Sequence, residues 1–216
     1  MSLNICVCTL ICDSAVEYGR YSAAINKIYC DRHGYTFVVE YNKLDQALHP
    51  YWNKLLLMQR ELNNGYDYVM YIDADAVFTN MSTRIEDFIV DSSIYIANEN
   101  LAVSDSFGEN SGVILIKNDD ISRSFLADAI NRYDECKNSC TPEQLAIALE
   151  VEGTYREHTT QYPCVWFNAY AGPFAEGLNR PWCLWRDGCY IKHMLMSPED
   201  IRIQEFRKIL KDISNE

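Results

Sequence analysis

Short apolar segments alternate with longer amphipathic ones along most of this chain, and that alternation restricts the fold more than any other feature. The stretches 4–11 (NICVCTLI), 35–41 (YTFVVEY), 66–73 (YDYVMYID), 93–99 (SIYIANE) and 111–118 (SGVILIKN) have the length and the β-branched or aromatic content of buried strands. Between and after them, 22–34, 51–65, 121–137 and 141–153 space their apolar residues along one helix face, with Gly34 and the run Asn63-Asn64-Gly65 as stop signals. This order predicts an α/β fold, a mostly parallel central sheet flanked by helices, with ligands gathering where the C-terminal strand ends meet the loops. No internal repeat, low-complexity tract or linker divides the chain, so 1–216 reads as a single domain.

Charge removes several classes of partner. With 31 acidic against 19 basic side chains the formal charge is −12, and no Lys/Arg-rich block offers a local basic face. Nucleic acid and anionic membrane are poor partners for such a surface, and an anionic substrate needs a metal ion or helix N-termini to offset the field. Nine cysteines with no CxxC pair read as mostly reduced thiols, Cys6 and Cys8 serving as small hydrophobes on one strand face. No apolar run approaches a membrane span, and the reading is a soluble, cytoplasmic chain.

One strand ends unusually. In YVMYIDADAVFTNM, 68–81, an apolar run closes in Asp73 and Asp75, and residues i and i+2 of a strand project to the same side. Converging carboxylates call for a cation, and oxygen ligands of this hardness suit Mn²⁺ or Mg²⁺ with positions left for phosphate oxygens. A turn or a helix cap explains the same aspartates without a metal. A third reading is a haloacid-dehalogenase-like phosphatase, whose Asp-x-Asp string DADAV also satisfies, with Asp73 as the nucleophile on phosphorus.

The surroundings of the pair carry a resemblance. HGYTFVVEY, then HPYWNKLLLMQRELNNGYDYVMYIDADAVFTNM, with NSGVILIKN, PEQLAIALE and CYIKHM further on, resembles the retaining glycosyltransferases that include plant xyloglucan xylosyltransferases and yeast and plant α-galactosyl and α-mannosyl transferases. The likeness covers roughly 28–194 and implies one GT-A domain, its donor-binding part at roughly 1–120, its acceptor side at 121–196 and a C-terminal helix at 197–213. It implies transfer from a nucleoside diphosphate sugar, such as a UDP-sugar, to a glycan hydroxyl with retention of configuration. A metal would be held by Asp73, Asp75 and His193. Asp75 and Gln144 would be the catalytic groups, and Asp73, Lys54, Asn110 and Gly112 would line the donor site. An excised member of a Golgi enzyme would work in the Golgi lumen.

The chain departs from those relatives after His193, where HMLMSPED lacks their glycine and their Cys-Lys phosphate contact. That departure is the support for a further alternative, a domain that binds sugar nucleotides without turnover. Trp166, Tyr170, Trp182 and Trp185 crowd two loop-rich stretches and are candidates for stacking on an acceptor sugar. The last helix reads as packing only, with Ser197 as N-cap and Asp200 at its third position.

Overall fold

The computed structural model describes residues 3–100 and 108–214. In chain order its elements are β1 (Ile5–Leu10), α1 (Val16–His33), β2 (Thr36–Glu40), α2 (Pro50–Asn63), β3 (Tyr68–Ile72), β4 (Ala76–Phe78), β5 (Ile94–Asn98) and β6 (Glu109–Lys117). The C-terminal half continues with α3 (Asp120–Asn131), α4 (Tyr133–Cys136), α5 (Pro142–Glu152), β7 (Thr159–Pro163), α6 (Cys164–Phe167), β8 (Ala169–Tyr170), α7 (Pro173–Gly177), β9 (Ile191–His193) and α8 (Glu199–Ile213).

Six strands form the main sheet in the order β2-β1-β3-β6-β5-β7, and β4-β9-β8 form a small second sheet. β1 pairs in parallel with β2 and β3, and β5 with β7, so the mostly parallel expectation holds. The reversed strand is β6, antiparallel to β3 on one side and β5 on the other. Its register against β5 shifts between Ile96 and Ala97, where the partner jumps from Ile114 to Asn110. Residues Ser111 to Val113 thereby leave that ladder, and irregularities of this kind re-aim side chains beside sites.

Strand alternation splits the core between the two faces of the sheet. Ile5 and Val7 pack on the α1 and α8 side, while Cys6 and Cys8 join Trp52, Leu55 and Met58 of α2 on the other. The cysteines are free thiols, and burial pushes the Cys6 thiol up to about 12, so it acts as a small hydrophobe as expected. Trp52 is fully buried with its ring edge-on to Tyr133 at 5.2 Å, which makes it the anchor of α2. α1 stops where Gly34 takes φ 75° and its N–H caps Cys30 O, a conformation that only glycine adopts without cost.

The C-terminal helix begins later than the sequence indicates. Pro198, with no N–H to give and an extended backbone, occupies the N-cap position; Ser197 Oγ instead donates to Leu195 O at 3.5 Å. Asp200 accordingly falls at the second helical position. At α5, Pro142 is the first helical residue and the Thr141 side chain makes no capping bond. Among the described residues no helix is long and apolar enough to cross a membrane.

Candidate active site

β3 delivers Asp73 and Asp75 to the C-terminal edge of the sheet, but a turn, and not the pleat of a strand, brings them together. The strand ends at Ile72, and the Ala76 N–H returns to Asp73 O at 3.0 Å to close the turn. The Asp73 N–H still reaches across the sheet to Gly112 O at 2.8 Å, so β6 fixes where the turn begins. The expectation of two carboxylates on one strand face is therefore corrected in its cause and retained in its result. One ligand atom each from Asp73, Asp75 and His193 lie within 4.8 Å of one another.

His193 comes from β9, which pairs with β4 so that Ala76 faces it directly. Its Nδ1 lies 3.1 Å from Asn168 Oδ1, while the Asn168 amide donates to Asn110 Oδ1 at 2.7 Å. Held at Nδ1 by Asn168, the ring presents Nε2 to Asp75 Oδ1 at 3.1 Å, beside the Asp73 carboxylate. One imidazole with two carboxylates suits Mn²⁺ or Mg²⁺, so the residues present fit the metal that the resemblance implies.

Two basic side chains compensate the aspartates. Lys54 Nζ, on α2, lies 3.2 Å from Asp73 Oδ1 and 3.1 Å from Glu143 Oε1, and donates to Ser111 O at 3.3 Å. Its side chain is 2% exposed, so the sequence places it at the site but the structure sets it beneath the aspartate. Burial disfavours its charge, yet Asp73 and Glu143 raise its pKa above the ordinary lysine value. Arg202, on α8, donates from Nη2 to Asp75 Oδ2 at 2.8 Å. Burial works against the Asp75 charge as well, but His193 and Arg202 hold its carboxyl below the usual range. Asp73 goes the other way: burial raises its pKa, Lys54 lowers it, and neighbouring Asp75 adds to the rise.

Gly112 and Asn110 pack behind the histidine. A Cβ at Gly112 would run into the His193 ring, so only glycine lets β6 and β9 approach so closely. Asn110 Oδ1 accepts from the Gly112 N–H at 2.9 Å, which makes Asn110 part of the scaffold that orients His193. Gln144 Oε1 accepts from the Ser111 N–H at 3.1 Å, and Glu143 Oε1 accepts from Ser111 Oγ at 2.9 Å. Both residues of the first turn of α5 thus reach Ser111.

Sequence reasoning did not find Arg202, Glu143, Asn168 or Ser111 as members of this cluster. Arg202 carried a faint signal, because a cation in the first turn of a helix opposes the helix dipole. The last helix is therefore more than packing. Of the four aromatic candidates for acceptor contact, Trp166 is 61% and Trp182 38% exposed, whereas Tyr170 is buried in the core. Trp185 lines a cleft of about 310 Å³ with Lys192, Met194 and Glu205 of α8; Lys192 and Met194 flank His193 along the chain and so project away from its side of β9.

This arrangement is a GT-A-type glycosyltransferase fold with an acidic cluster at the C-terminal edge of its sheet. A glycosyltransferase involved in glycosylation of the major capsid of PBCV-1 superposes with a TM-score of 0.73 at 15% identity, covering 95% of this chain and 99% of that one. Mouse xyloside xylosyltransferase 1 gives 0.56 at 11% identity over 91% of this chain and 99% of its own. GlyE of Streptococcus pneumoniae TIGR4 gives 0.57 at 14% identity, covering 99% of this chain and 64% of that one.

In sequence, residues 21–102 match the galactosyl transferase GMA12/MNN10 family, the resemblance already visible around the Asp pair. Probable glycosyltransferase 3 of Oryza sativa, in both subspecies indica and japonica, is 36% identical over 76 residues. That match covers 34% of this chain and 16% of the rice proteins. The partial family match, the rice relatives and the solved structures of this fold are all glycosyltransferases.

Proposed function

We propose that the chain transfers a sugar from a nucleoside diphosphate sugar, such as a UDP-sugar, to a glycan hydroxyl in a metal-dependent reaction that retains configuration. The convergence of Asp73, Asp75 and His193 within 4.8 Å carries this reading. Breaking the bond from the anomeric carbon to the diphosphate builds charge on the leaving oxygen, and a bound Mn²⁺ or Mg²⁺ supplies Lewis-acid stabilisation of that charge. Asp75 and His193 would hold the ion, with Asp73 as third ligand or as a contact to the ribose.

The chain's own residues supply the rest. Lys54 favours the charged form of Asp73 and fixes it from below, and so acts on the donor through Asp73. Asn110 and Gly112 support the wall on which His193 stands and border the donor sugar. Gln144, tied to Ser111 by its carbonyl oxygen, offers its amide N–H groups to the sugar while Glu143 remains paired with Lys54. Exposed Trp166 and Trp182 present ring faces suited to an acceptor glycan.

A screen of nucleoside diphosphate sugars for Mn²⁺-dependent thermal stabilisation tests the proposal, since a ligand at 100 times its Kd adds about 2.7 kcal/mol. Stabilisation by one donor, with slow release of its sugar in the absence of acceptor, is the expected result. Stabilisation without any release or transfer would favour the non-catalytic alternative, and no response to any donor would overturn the reading.

A further inference from the structure

The two oxygens of Asp75 have different fates. Oδ1 faces His193 Nε2 at 3.1 Å, on the side shared with Asp73, whereas Oδ2 accepts from Arg202 Nη2 at 2.8 Å. Arg202 is itself held by two further contacts. Its Nε donates to Met194 O at 3.3 Å, its guanidinium carbon lies 4.5 Å over the centre of the Tyr18 ring, and its side chain is 15% exposed. The Met194 N–H donates to Asp75 O at 2.8 Å. Asp75 main chain, Met194 and Arg202 therefore close a ring of hydrogen bonds that ends on Asp75 Oδ2.

Resting on the metal-dependent reading, we propose that Arg202 sets which divalent ion the site accepts, by keeping Asp75 a ligand through one oxygen only. Ca²⁺ takes six to eight oxygens in loose geometry and uses carboxylates through both oxygens, whereas Mg²⁺ demands a tight octahedron and Mn²⁺ accepts imidazole readily. A carboxylate whose second oxygen is engaged by a fixed guanidinium cannot turn to present both. The ring of bonds through Met194 resists that rotation, so the cluster favours the smaller ions. Without Arg202 the Asp75 side chain is free to turn, and discrimination against Ca²⁺ falls.

Arg202 also contributes a positive charge that disfavours every cation, so affinity for a single ion does not isolate the effect, whereas the ratio of two divalent ions does. Mn²⁺ added alone is followed by electron paramagnetic resonance of the free ion, and Ca²⁺ is measured by competition. The Kd ratio of Ca²⁺ to Mn²⁺ is compared in wild type, Arg202→Gln and Arg202→Lys. Removal of an outer partner of a metal ligand shifts metal binding by roughly 10 to 100-fold, and Arg202→Gln is expected to lower the ratio by about tenfold. Arg202→Lys, which keeps a donor for Oδ2, is expected to retain most of it.

Should Arg202→Gln not fold, Tyr18→Leu removes the ring beneath the guanidinium without touching the carboxylate, and it is expected to move the ratio in the same direction. A wild-type ratio in a folded Arg202→Gln or, failing that, in Tyr18→Leu overturns the proposal while leaving the metal reading intact. No Mn²⁺ binding by the wild type would overturn both.

Discussion

Lys54 Nζ lies 3.2 Å from Asp73 Oδ1 with only 2% of its side chain exposed, so a fully buried cation underlies the first aspartate of the site. Glu143 shares the same ammonium at 3.1 Å. The Lys54→Met chain keeps the volume and loses the charge, leaving Asp73 and Glu143 without the cation they share. Breaking a buried pair by removing one partner costs about 3 kcal/mol or more. Urea unfolding at neutral pH checks this, and pairing Lys54→Met with Glu143→Gln should restore part of the loss. An unchanged midpoint in the single variant would show that the cluster is structurally neutral.

Asp75→Ala removes the carboxylate that both His193 and Arg202 address. Divalent-ion dependence of donor binding and donor turnover should both disappear, because the remaining ligands no longer outweigh the nearby Lys54 and Arg202 charges. Thermal shifts with and without Mn²⁺ report the first and sugar-nucleotide consumption the second. His193→Ala should weaken metal binding less, since it removes a neutral ligand.

Gly112→Ala tests the close approach of β6 and β9. The added methyl meets the His193 ring, and His193 is held at its two ring nitrogens by Asn168 and Asp75. Overpacking of this kind costs about 1–3 kcal/mol, and the displaced imidazole should lower metal affinity as well. Full metal affinity in a destabilised variant would separate the fold's need for Gly112 from the site's.

These consequences show how unevenly the sequence reveals the molecule. Strands β1, β2, β3, β5 and β6 and helices α2, α3 and α5 were legible because hydrophobic period and length are local properties. Asp73, Asp75 and His193 were legible through their neighbours in sequence. Arg202 and Asn168 were not, because their roles come from the small sheet and from α8 folding back along α1, which no local pattern records. The irregularity at Ile96/Ala97 likewise decides where Ser111 points, and it depends on how two distant strands mesh.

Glu109 gives a prediction in pH. It is buried at the start of β6, where burial and then the hydrogen-bonded Glu152 carboxyl raise its pKa to about 7 from an ordinary 4.5. Gln161 and Asn98 donate to its Oε1 at 3.0 and 3.1 Å. Between about pH 4.5 and 7 the folded chain keeps a proton that the unfolded chain releases, so this group's stabilisation is complete below the unfolded value and is lost as pH rises through the folded one. From pH 5 to pH 8 the wild type should lose about 2 kcal/mol more stability than Glu109→Gln, which has no proton to lose there. Parallel profiles for the two chains in urea would show that the pair holds no such proton.

Gln144 decides the stereochemical prediction. A double displacement needs a carboxylate free to bond to the anomeric carbon, and the nearest candidate in the chain, Glu143, is 5% exposed and committed to Lys54 and Ser111. Gln144 is an amide, a weak nucleophile, and its oxygen is already tied to the Ser111 N–H. What it can give the sugar is hydrogen-bond donation, which steadies the developing positive charge's hydroxyl neighbours without forming a bond to carbon. Retention then follows from attack on the leaving-group side, with a diphosphate oxygen taking the acceptor's proton. Gln144→Ala should lower turnover about 10 to 100-fold, on the order of 1.4 to 2.7 kcal/mol, with little change in metal affinity. Proton NMR of fresh product is expected to show the donor's anomeric configuration. Inversion, or a sugar found covalently attached to Glu143 by mass spectrometry, would end this account of the chemistry.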